Sequence, residues 1–171
     1  RNKMRMKNYI HDKQKLPLFG IGPYMIAGMG GIGLLGIVFS GNVLRSGILS
    51  GAWIWASCIA GVICIVFGLL LWYVAAVKSD MNNHIAENKL KTDGIYAWVR
   101  NPMYSAWMFL IFGIVLLWHN LWLLLVFPID WVIMAVVLKR TEEKWLRKQY
   151  GEEYERYCRH VNRCIPFRRS K

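Results

Sequence analysis

The chain has 171 residues, of which 56% are hydrophobic, and its 22 Lys and Arg residues against 10 Asp and Glu residues give a formal charge of +12. The charged and apolar residues are segregated, because residues 16–77 and 101–138 contain only Arg45 and Asp130 as charged side chains. This pattern excludes a disordered chain and an ordinary soluble domain, including a soluble nucleic-acid-binding domain.

Four apolar stretches have the length of membrane-spanning helices. A helix needs roughly 20 residues to cross the ~30 Å hydrocarbon layer, and the apolar stretches occupy residues 20–40, 52–77, 102–118 and 121–139. Only His119 and Asn120 separate the last two, which predicts a tight helical hairpin. We therefore predict an all-α integral membrane protein with four transmembrane helices, in a single domain over residues 1–171.

The distribution of Lys and Arg predicts the topology. Segments 1–19, 78–101 and 139–171 contain 6, 4 and 11 of these residues, which leaves only Arg45. Because positive residues accumulate on the cytoplasmic side, both termini are predicted to be cytoplasmic. The expected order is a basic N-terminus (1–19), two helices (20–77), a cytoplasmic loop (78–101), the hairpin (102–139) and a cytoplasmic C-terminal segment (140–171).

Residues Gly28 to Gly33 formally match the GxGxxG pattern of dinucleotide-binding loops. That function requires a preceding strand and a βαβ unit, whereas this stretch lies inside an apolar helix. We interpret its small residues as sites of close helix packing, with Ala27 and Gly31 at one small-xxx-small spacing and Gly36 and Ser40 at another.

The four cysteines show no CxxC spacing, so we expect free thiols and neither a disulfide framework nor a metal site. They are Cys58, Cys64, Cys158 and Cys164.

The C-terminal segment has apolar and aromatic residues at three- and four-residue steps, with Lys and Arg between them, which predicts amphipathic helices broken near Gly151. The periodic residues are Leu146, Tyr150, Tyr154, Tyr157 and Val161. They fit a helix on the cytoplasmic membrane surface and equally a helix packed on the ends of the spans.

Asn101 and Pro102 predict the start of the third span, because Asn is favoured as an N-cap and Pro at the first helical position. A helix N-terminus beside Arg100 is suited to holding an anion such as a carboxylate or phosphate. The alternative is an ordinary capped helix whose Arg100 extends toward the membrane surface.

The acidic pair Glu142 and Glu143 follows the fourth span, and acidic residues are scarce in this chain. The flanking cations could simply neutralise the pair, since Glu143 and Arg147 have the i,i+4 spacing of a helical ion pair. However, the short hairpin returns both of its ends to one membrane face, so Arg100 and the two glutamates are expected to lie close together.

The stretch Arg100-Asn101-Pro102-Met103-Tyr104, an apolar hairpin, and then Glu142-Glu143 resembles the RHPxY–hydrophobic–EE consensus of the isoprenylcysteine carboxyl methyltransferase and phospholipid methyltransferase superfamily. The flanks at Leu90 to Tyr96 and at Tyr150 to Pro166 resemble the same family. The resemblance covers about residues 85–167 and leaves out the first two spans.

The resemblance implies a membrane methyltransferase that uses S-adenosylmethionine and releases S-adenosylhomocysteine, with the donor held at the cytoplasmic face. It implies Arg100 and Glu143 as catalytic residues. The implied cofactor-binding residues are Tyr96, Arg100, Asn101, Pro102, Tyr104, Glu142, Glu143 and Tyr154. Arginine and a helix N-terminus suit the donor's carboxylate, and glutamates suit its ammonium or ribose. Trp98, Tyr104, Trp145 and Tyr154 remain alternatives for stacking on adenine.

The acceptor is expected to be lipophilic or lipidated, and to enter from membrane lipid. The family's histidine is replaced by Asn101, and the remaining histidines form no motif (His11, His84, His119 and His160). The absence of a base favours a carboxylate, or a thiolate, over a phospholipid amine, which must first lose a proton. Asp130 near the bilayer midplane and Trp107 are candidate substrate residues, although Asp130 could instead be a neutral interhelical residue.

Two other classes remain open. One is an NADPH-dependent membrane reductase, and the other is a non-catalytic membrane protein that docks lipid or a partner. With only four predicted spans, the chain resembles a minimal version of the family's fold, which suggests a prokaryotic cell membrane. Its oligomeric state is open.

Overall fold

The computed structural model describes residues 21–79 and 89–167. The predicted basic N-terminus (1–19), with His11, and residues 80–88 of the loop 78–101, with His84, lie outside the described residues. Over the described residues the secondary structure is helical, apart from isolated bridges that pair Ile48 with Asn120 and Val99 with Asn162. The predicted all-α fold class is confirmed.

The described chain forms six α-helices in the order that the hydropathy pattern predicts. They are α1 (Gly22–Ser40), α2 (Ala52–Tyr73), α3 (Pro102–Leu116), α4 (Val126–Arg140), α5 (Glu142–Tyr150) and α6 (Glu152–His160). A π-helical turn, Val74–Lys78, extends α2, and 3-10 turns occupy Arg45–Gly47, Gly94–Ala97 and Leu121–Leu125.

Three of the described helical stretches are long and apolar enough to cross a membrane, namely Gly22–Ser40, Ala52–Lys78 and Leu121–Tyr150. The third predicted span is shorter, because α3 has 15 residues and reaches only about 22 Å at ~1.5 Å per residue. The predicted count of four full spans is therefore not confirmed.

Glycines bring α2 and α3 into close contact. A Cβ atom on Gly113 would lie 2.7 Å from the carbonyl oxygen of Gly61, and one on Gly68 would lie 3.0 Å from the carbonyl oxygen of Ala106. Only glycine permits this backbone approach, which is a common way for helices to associate in lipid.

The small residues of α1 pack differently from the expectation. Cβ atoms on Gly33 and Gly36 would contact Ile111 and Leu123, whereas one on Gly31 would meet open space and Ala27 is exposed. The predicted packing pair Ala27 and Gly31 does not pack on another helix of the described chain, because only part of the GxGxxG stretch faces those helices.

Buried Asn120 organises the hairpin turn. Its side-chain amide donates to the carbonyl oxygens of Ser40 (3.3 Å) and Leu44 (2.9 Å), and its side-chain oxygen accepts from the Trp122 backbone N–H (3.0 Å). The neighbouring His119 has a positive φ of 50°. The predicted turn is confirmed, and it also holds the end of α1.

Large apolar side chains cover the outer surface of α1 and α2. Trp55 is 72% exposed, Trp53 69% and Leu70 61%. An apolar surface of this extent is typical of a face that contacts lipid.

The C-terminal helices pack on the protein. Gly151, with φ of 54°, separates α5 from α6, so the predicted break is confirmed. Tyr154, Tyr157 and Val161 form a buried cluster against Leu90, Leu146 and other partly buried neighbours. The amphipathic face is therefore occupied by the protein itself, which favours the packed alternative.

Candidate functional site

The corner at the start of α3 has the predicted backbone arrangement, with Asn101 at the N-cap and Pro102 at the first helical position. The Asn101 side chain makes no capping bond to the helix. Its amide nitrogen instead donates to the Arg163 carbonyl oxygen at 3.0 Å. Asn101 therefore ties the corner to the C-terminal segment.

Residues 161–167 lie along this corner. The Arg100 backbone N–H donates to the Asn162 carbonyl oxygen at 2.8 Å, and the Phe167 N–H donates to the Trp98 carbonyl oxygen at 3.1 Å. The Ser105 hydroxyl also donates to the carbonyl oxygen of Cys164. These bonds place the Arg163 side chain beside Arg100.

Glu143 lies between two arginines at the centre of the site. Its Oε1 is 3.2 Å from Nη1 of Arg100 and 2.5 Å from Nε of Arg163, and its Oε2 accepts from Nη2 of Arg163 at 3.0 Å. The Glu143 side chain is only 1% exposed and that of Arg100 is 8% exposed. The two ends of the hairpin therefore meet in a buried ion cluster.

The ion cluster of Arg100, Glu143 and Arg163 holds two positive charges and one negative charge. The Arg100 Nε is buried without a hydrogen-bond partner among the described residues. Arg163 donates to the Glu143 carboxylate, and this hydrogen bond raises the pKa of the Arg163 guanidinium above its usual range. The cluster thus has an excess cation and an unused donor, which together suit an anionic group of a ligand.

Tyr104 and Glu142 form a second contact between the two ends of the hairpin. The Tyr104 hydroxyl donates to Oε1 of Glu142 at 2.6 Å, and both residues are partly buried. Because this bond engages one of the two carboxylate oxygens, Glu142 keeps acceptor capacity for a ligand ammonium or hydroxyl.

The tyrosines at the site act as neutral hydrogen-bonding groups. Burial, and then the negative charge of Glu142, raise the pKa of Tyr96 to about 12. Burial raises the pKa of Tyr154 well above its usual range, and its hydroxyl oxygen accepts from Nη1 of Arg100 at 3.4 Å. Neither phenol can therefore serve as a general base near neutral pH.

A cavity of about 320 Å³ opens beside the ion cluster. Arg100 is the only residue of the predicted site that lines it. The other lining residues come from α4, α5, α6 and the C-terminal segment, and they are Trp131, Ala135, Arg147, Cys158, Asn162, Arg163 and Cys164. Its walls are therefore strongly cationic on one side and apolar on the other.

Cys158 and Cys164 are the thiols of this cavity. The Arg100 Nη1 donates to Sγ of Cys158, and burial raises the pKa of the Cys164 thiol to about 12. All four cysteines are free, as expected, and no group of three or more metal-ligating side chains occurs among residues 21–79 and 89–167.

Sequence reasoning missed Arg163, Arg147 and Cys158 as site residues. Arg163 belongs to the segment Tyr150 to Pro166, which resembles the family pattern, and this resemblance could have identified it as a site residue. No sequence signal placed Cys158 against Arg100, since that contact depends on how α6 packs.

The predicted substrate residues lie within the helical bundle and do not line this cavity. Asp130 is fully buried, and neither of its carboxylate oxygens has a hydrogen-bond partner among the described residues. It shares the buried face of α4 with Val126 and Met134. Trp107 is partly buried against a core cluster that contains Met25, Met29, Met108 and Met134.

Neither of the two described histidines pairs with a residue of the ion cluster. His119 lies in the hairpin turn, where its ring nitrogens are 3.9 and 4.0 Å from Sγ of Cys58. His160 is exposed at the end of α6.

Comparison with known proteins identifies the family. The phospholipid methyltransferase family model matches residues 57–153, which is more than half of the chain. The chain therefore belongs to the phospholipid methyltransferase family, and the matched region contains Arg100, Tyr104 and both glutamates.

The chain is similar to the protein-S-isoprenylcysteine O-methyltransferases of Rattus norvegicus and Homo sapiens. The rat protein is 32% identical over 122 residues, which cover 63% of this chain and 40% of that protein. The human protein is 32% identical over 127 residues, which cover 66% and 42%. The matches thus span about two fifths of the length of these relatives.

A shorter match is to a methyltransferase that is named for a different acceptor. The methanethiol S-methyltransferase of Crocosphaera subtropica is 40% identical over 82 residues, which cover 46% of this chain and 30% of that protein. No solved structure matches the chain significantly.

Proposed function

We propose that this protein is a membrane methyltransferase that uses S-adenosylmethionine to methylate a lipophilic acceptor. The observation that carries the proposal is the meeting of Arg100 with Glu143, and of Tyr104 with Glu142, from opposite ends of the hairpin. Membership in a methyltransferase family supports it.

The groups at the site fit the proposed donor. S-adenosylmethionine carries a carboxylate, for which Arg100 offers a buried, unpartnered Nε and the excess positive charge of the ion cluster. It also carries an ammonium and ribose hydroxyls, which the remaining acceptor capacity of Glu142 suits. Tyr96, Pro102 and Tyr154 would shape the same corner.

When bound, S-adenosylmethionine would supply a methyl group activated by a positively charged sulfur. The chain's own contribution is alignment in a site poor in water, which can lower the barrier by several kcal/mol without an acid or base. Arg100 would hold the donor. Both carboxylate oxygens of Glu143 pair with arginines, so it would position Arg100 and Arg163 and contact the donor only through them.

We propose a carboxylate as the acceptor group, as in an isoprenylcysteine carboxyl O-methyltransferase. A carboxylate is ionised at neutral pH and needs no base. Asn101 cannot supply one, the phenols Tyr96 and Tyr154 have raised pKa values, and His119 and His160 lie elsewhere. Asp130 and Trp107 stay candidates for contact with the acceptor's apolar part.

A thiol is the second candidate acceptor. The methanethiol S-methyltransferase relative favours it, since a thiolate also reacts without a base once it is ionised. A phospholipid amine ranks below both because it must first lose a proton.

The proposal is tested by calorimetric binding of S-adenosylhomocysteine to the full chain in nanodiscs. We expect wild-type protein to bind, and each of the variants Glu142→Gln and Arg100→Lys to bind at least tenfold more weakly. Glu142→Gln removes a negative charge that contacts the ligand, and Arg100→Lys removes the forked guanidinium donors that contact it. Glu155→Gln and Arg159→Lys, which make the same chemical changes on exposed α6 residues, should bind as wild type does.

Different outcomes would support different functions. Folded wild-type protein that binds NADPH and no S-adenosylhomocysteine would overturn the methyltransferase in favour of a reductase. Binding of neither would favour a docking protein. Once cofactor binding is established, methyl transfer is measured with a farnesylated cysteine, with the amide that blocks its carboxyl group, and with a free alkyl thiol. Transfer to the first compound alone indicates a carboxylate acceptor, and transfer to the alkyl thiol indicates a thiol acceptor.

A further inference from the structure

A basic groove lies where α4 passes into α5. Lys139 and Arg140 contribute to it from the end of α4, Lys144 and Arg147 contribute from α5, and Val136 forms its apolar part. The groove has a volume of about 670 Å³, and no acidic side chain of the described residues lines it. We call this site the basic groove.

The described residues do not neutralise the positive charge of the basic groove. The sequence offers Glu142 and Glu143 as neighbours, but Glu142 accepts from Tyr104 and Glu143 pairs with Arg100 and Arg163. In particular, Glu143 does not form the i,i+4 pair with Arg147 that its spacing allows. Among the residues that the structure describes, none of the four groove cations forms an ion pair.

The position of the basic groove matches the membrane surface. The 3-10 turn Leu121–Leu125 and α4 (Val126–Arg140) together reach about 30 Å, which matches the ~30 Å thickness of the hydrocarbon layer. Lys139 and Arg140 therefore lie at the membrane surface, and Lys144 and Arg147 of α5, which line the same groove, lie there with them. Val136 lies one turn deeper, where the acyl chains begin.

We infer that the basic groove binds the headgroup phosphate of an anionic phospholipid. Guanidinium groups of Arg140 and Arg147 suit two oxygens of a phosphate, and the ammonium groups of Lys139 and Lys144 add point charges. Each cation near an anionic membrane surface adds attraction, and four of them surround one groove. The proposed ligand is held by its phosphate and is not the methyl acceptor, so the inference does not rest on the proposed function.

One residue connects the basic groove to the candidate active site. Arg147 lines the groove and also lines the cavity beside Arg100 and Arg163. A lipid phosphate paired with Arg147 would therefore lie at the wall of that cavity. This gives the lipid a direct route to influence the site.

The test is native mass spectrometry of the full chain in detergent, titrated with phosphatidylglycerol or phosphatidylcholine. We expect wild-type protein to retain phosphatidylglycerol at least tenfold more strongly than phosphatidylcholine. The double variant Lys139→Gln/Lys144→Gln should lose most of this preference. The matched control Arg156→Gln/Arg159→Gln removes the same charge from exposed positions on α6 and should keep it.

Three results would overturn the inference. The first is equal retention of the two lipids by wild-type protein, and the second is an equal loss of the phosphatidylglycerol preference in both double variants. The third is displacement of phosphatidylglycerol by inorganic phosphate at a concentration similar to that of the lipid. Thermal unfolding of the same samples provides a second readout. Phosphatidylglycerol should raise the unfolding temperature of the wild-type and control proteins, but not that of the Lys139→Gln/Lys144→Gln variant. If the double variant does not fold, Lys144→Gln replaces it, and an unchanged preference in that variant would contradict the inference.

Discussion

At the scale of single residues, Glu143 has the largest predicted effect on stability. Glu143→Gln would leave the buried Arg100 and the partly buried Arg163 without their anion. Removing one partner of a buried ion pair costs about 3–5 kcal/mol, so we expect a loss of that size in the free energy of unfolding, measured by titration of the protein in mixed micelles with a denaturing detergent. The exposed Glu153→Gln should change it little, and equal stability of the two variants would contradict a structural role for the ion cluster.

Asp130 presents the opposite case, because its buried carboxyl has no partner among the described residues. An unpaired buried polar group costs about 1–3 kcal/mol in protein mutational data. We expect Asp130→Val to raise the free energy of unfolding by about 1 kcal/mol, measured in the same way.

The activity of Asp130→Val tests the acceptor role of this residue. If Asp130 contacts the acceptor, the variant should have a higher KM for the acceptor with unchanged binding of S-adenosylhomocysteine. A less stable variant would mean that the carboxyl has a stabilising partner, and unchanged kinetics would exclude it from the acceptor site.

The sequence predicted which residues meet at the site better than it predicted their roles. Arg100 and Glu143 were expected to be close because a tight hairpin joins their helices, and they are in contact. The second partner of Glu143, Arg163, could not be derived from periodicity, because it depends on the path of residues 161–167 along the corner. The i,i+4 spacing favours Arg147 as the partner of Glu143. In the structure Glu143 is buried and pairs instead with Arg100 and Arg163, which are distant from it in sequence.

At the scale of helices, the contact between α2 and α3 yields a prediction. Gly113→Ala would place a methyl group 2.7 Å from the Gly61 carbonyl oxygen and 2.9 Å from the Ile65 backbone nitrogen. Because backbone atoms cannot move aside as side chains can, the helices must separate, at a cost of about 1–3 kcal/mol.

Gly31→Ala is the matched control for Gly113→Ala, since its methyl group would meet open space on α1. Alanine has the higher helix propensity, so this variant should be stabilised by up to about 1 kcal/mol. Detergent unfolding midpoints of the two variants should therefore move in opposite directions. A shift in the same direction would mean that the glycines do not set the helix spacing.

Hydropathy, Pro102 and the hairpin turn predicted the helix boundaries well. They did not predict which glycines pack against a neighbouring helix, because a small residue shows only that close approach is possible. Gly33 and Gly36 face neighbours and Gly31 does not, although all three lie in one apolar helix. The orientation of a helix that is apolar all round depends on its partners, which hydropathy does not reveal.

At the scale of the whole molecule, the distribution of Lys and Arg predicts that both termini are cytoplasmic. In a bacterial host, a C-terminal green fluorescent protein fusion should fluoresce and a C-terminal alkaline phosphatase fusion should be inactive. Alkaline phosphatase inserted after Ser46, in the loop that carries Arg45, should be active. The reverse pattern would contradict the topology.

The shortness of α3 has a consequence for how an acceptor reaches the site. With 15 residues, α3 is about 8 Å shorter than the ~30 Å hydrocarbon layer. If its Leu116 end lies at one interface with Trp118 and Trp122, Arg100 and the cavity beside it lie beneath the opposite headgroups. A lipophilic acceptor could then reach the site by lateral diffusion within a single leaflet, with its apolar tail still in the lipid. It would not have to be transferred into water first.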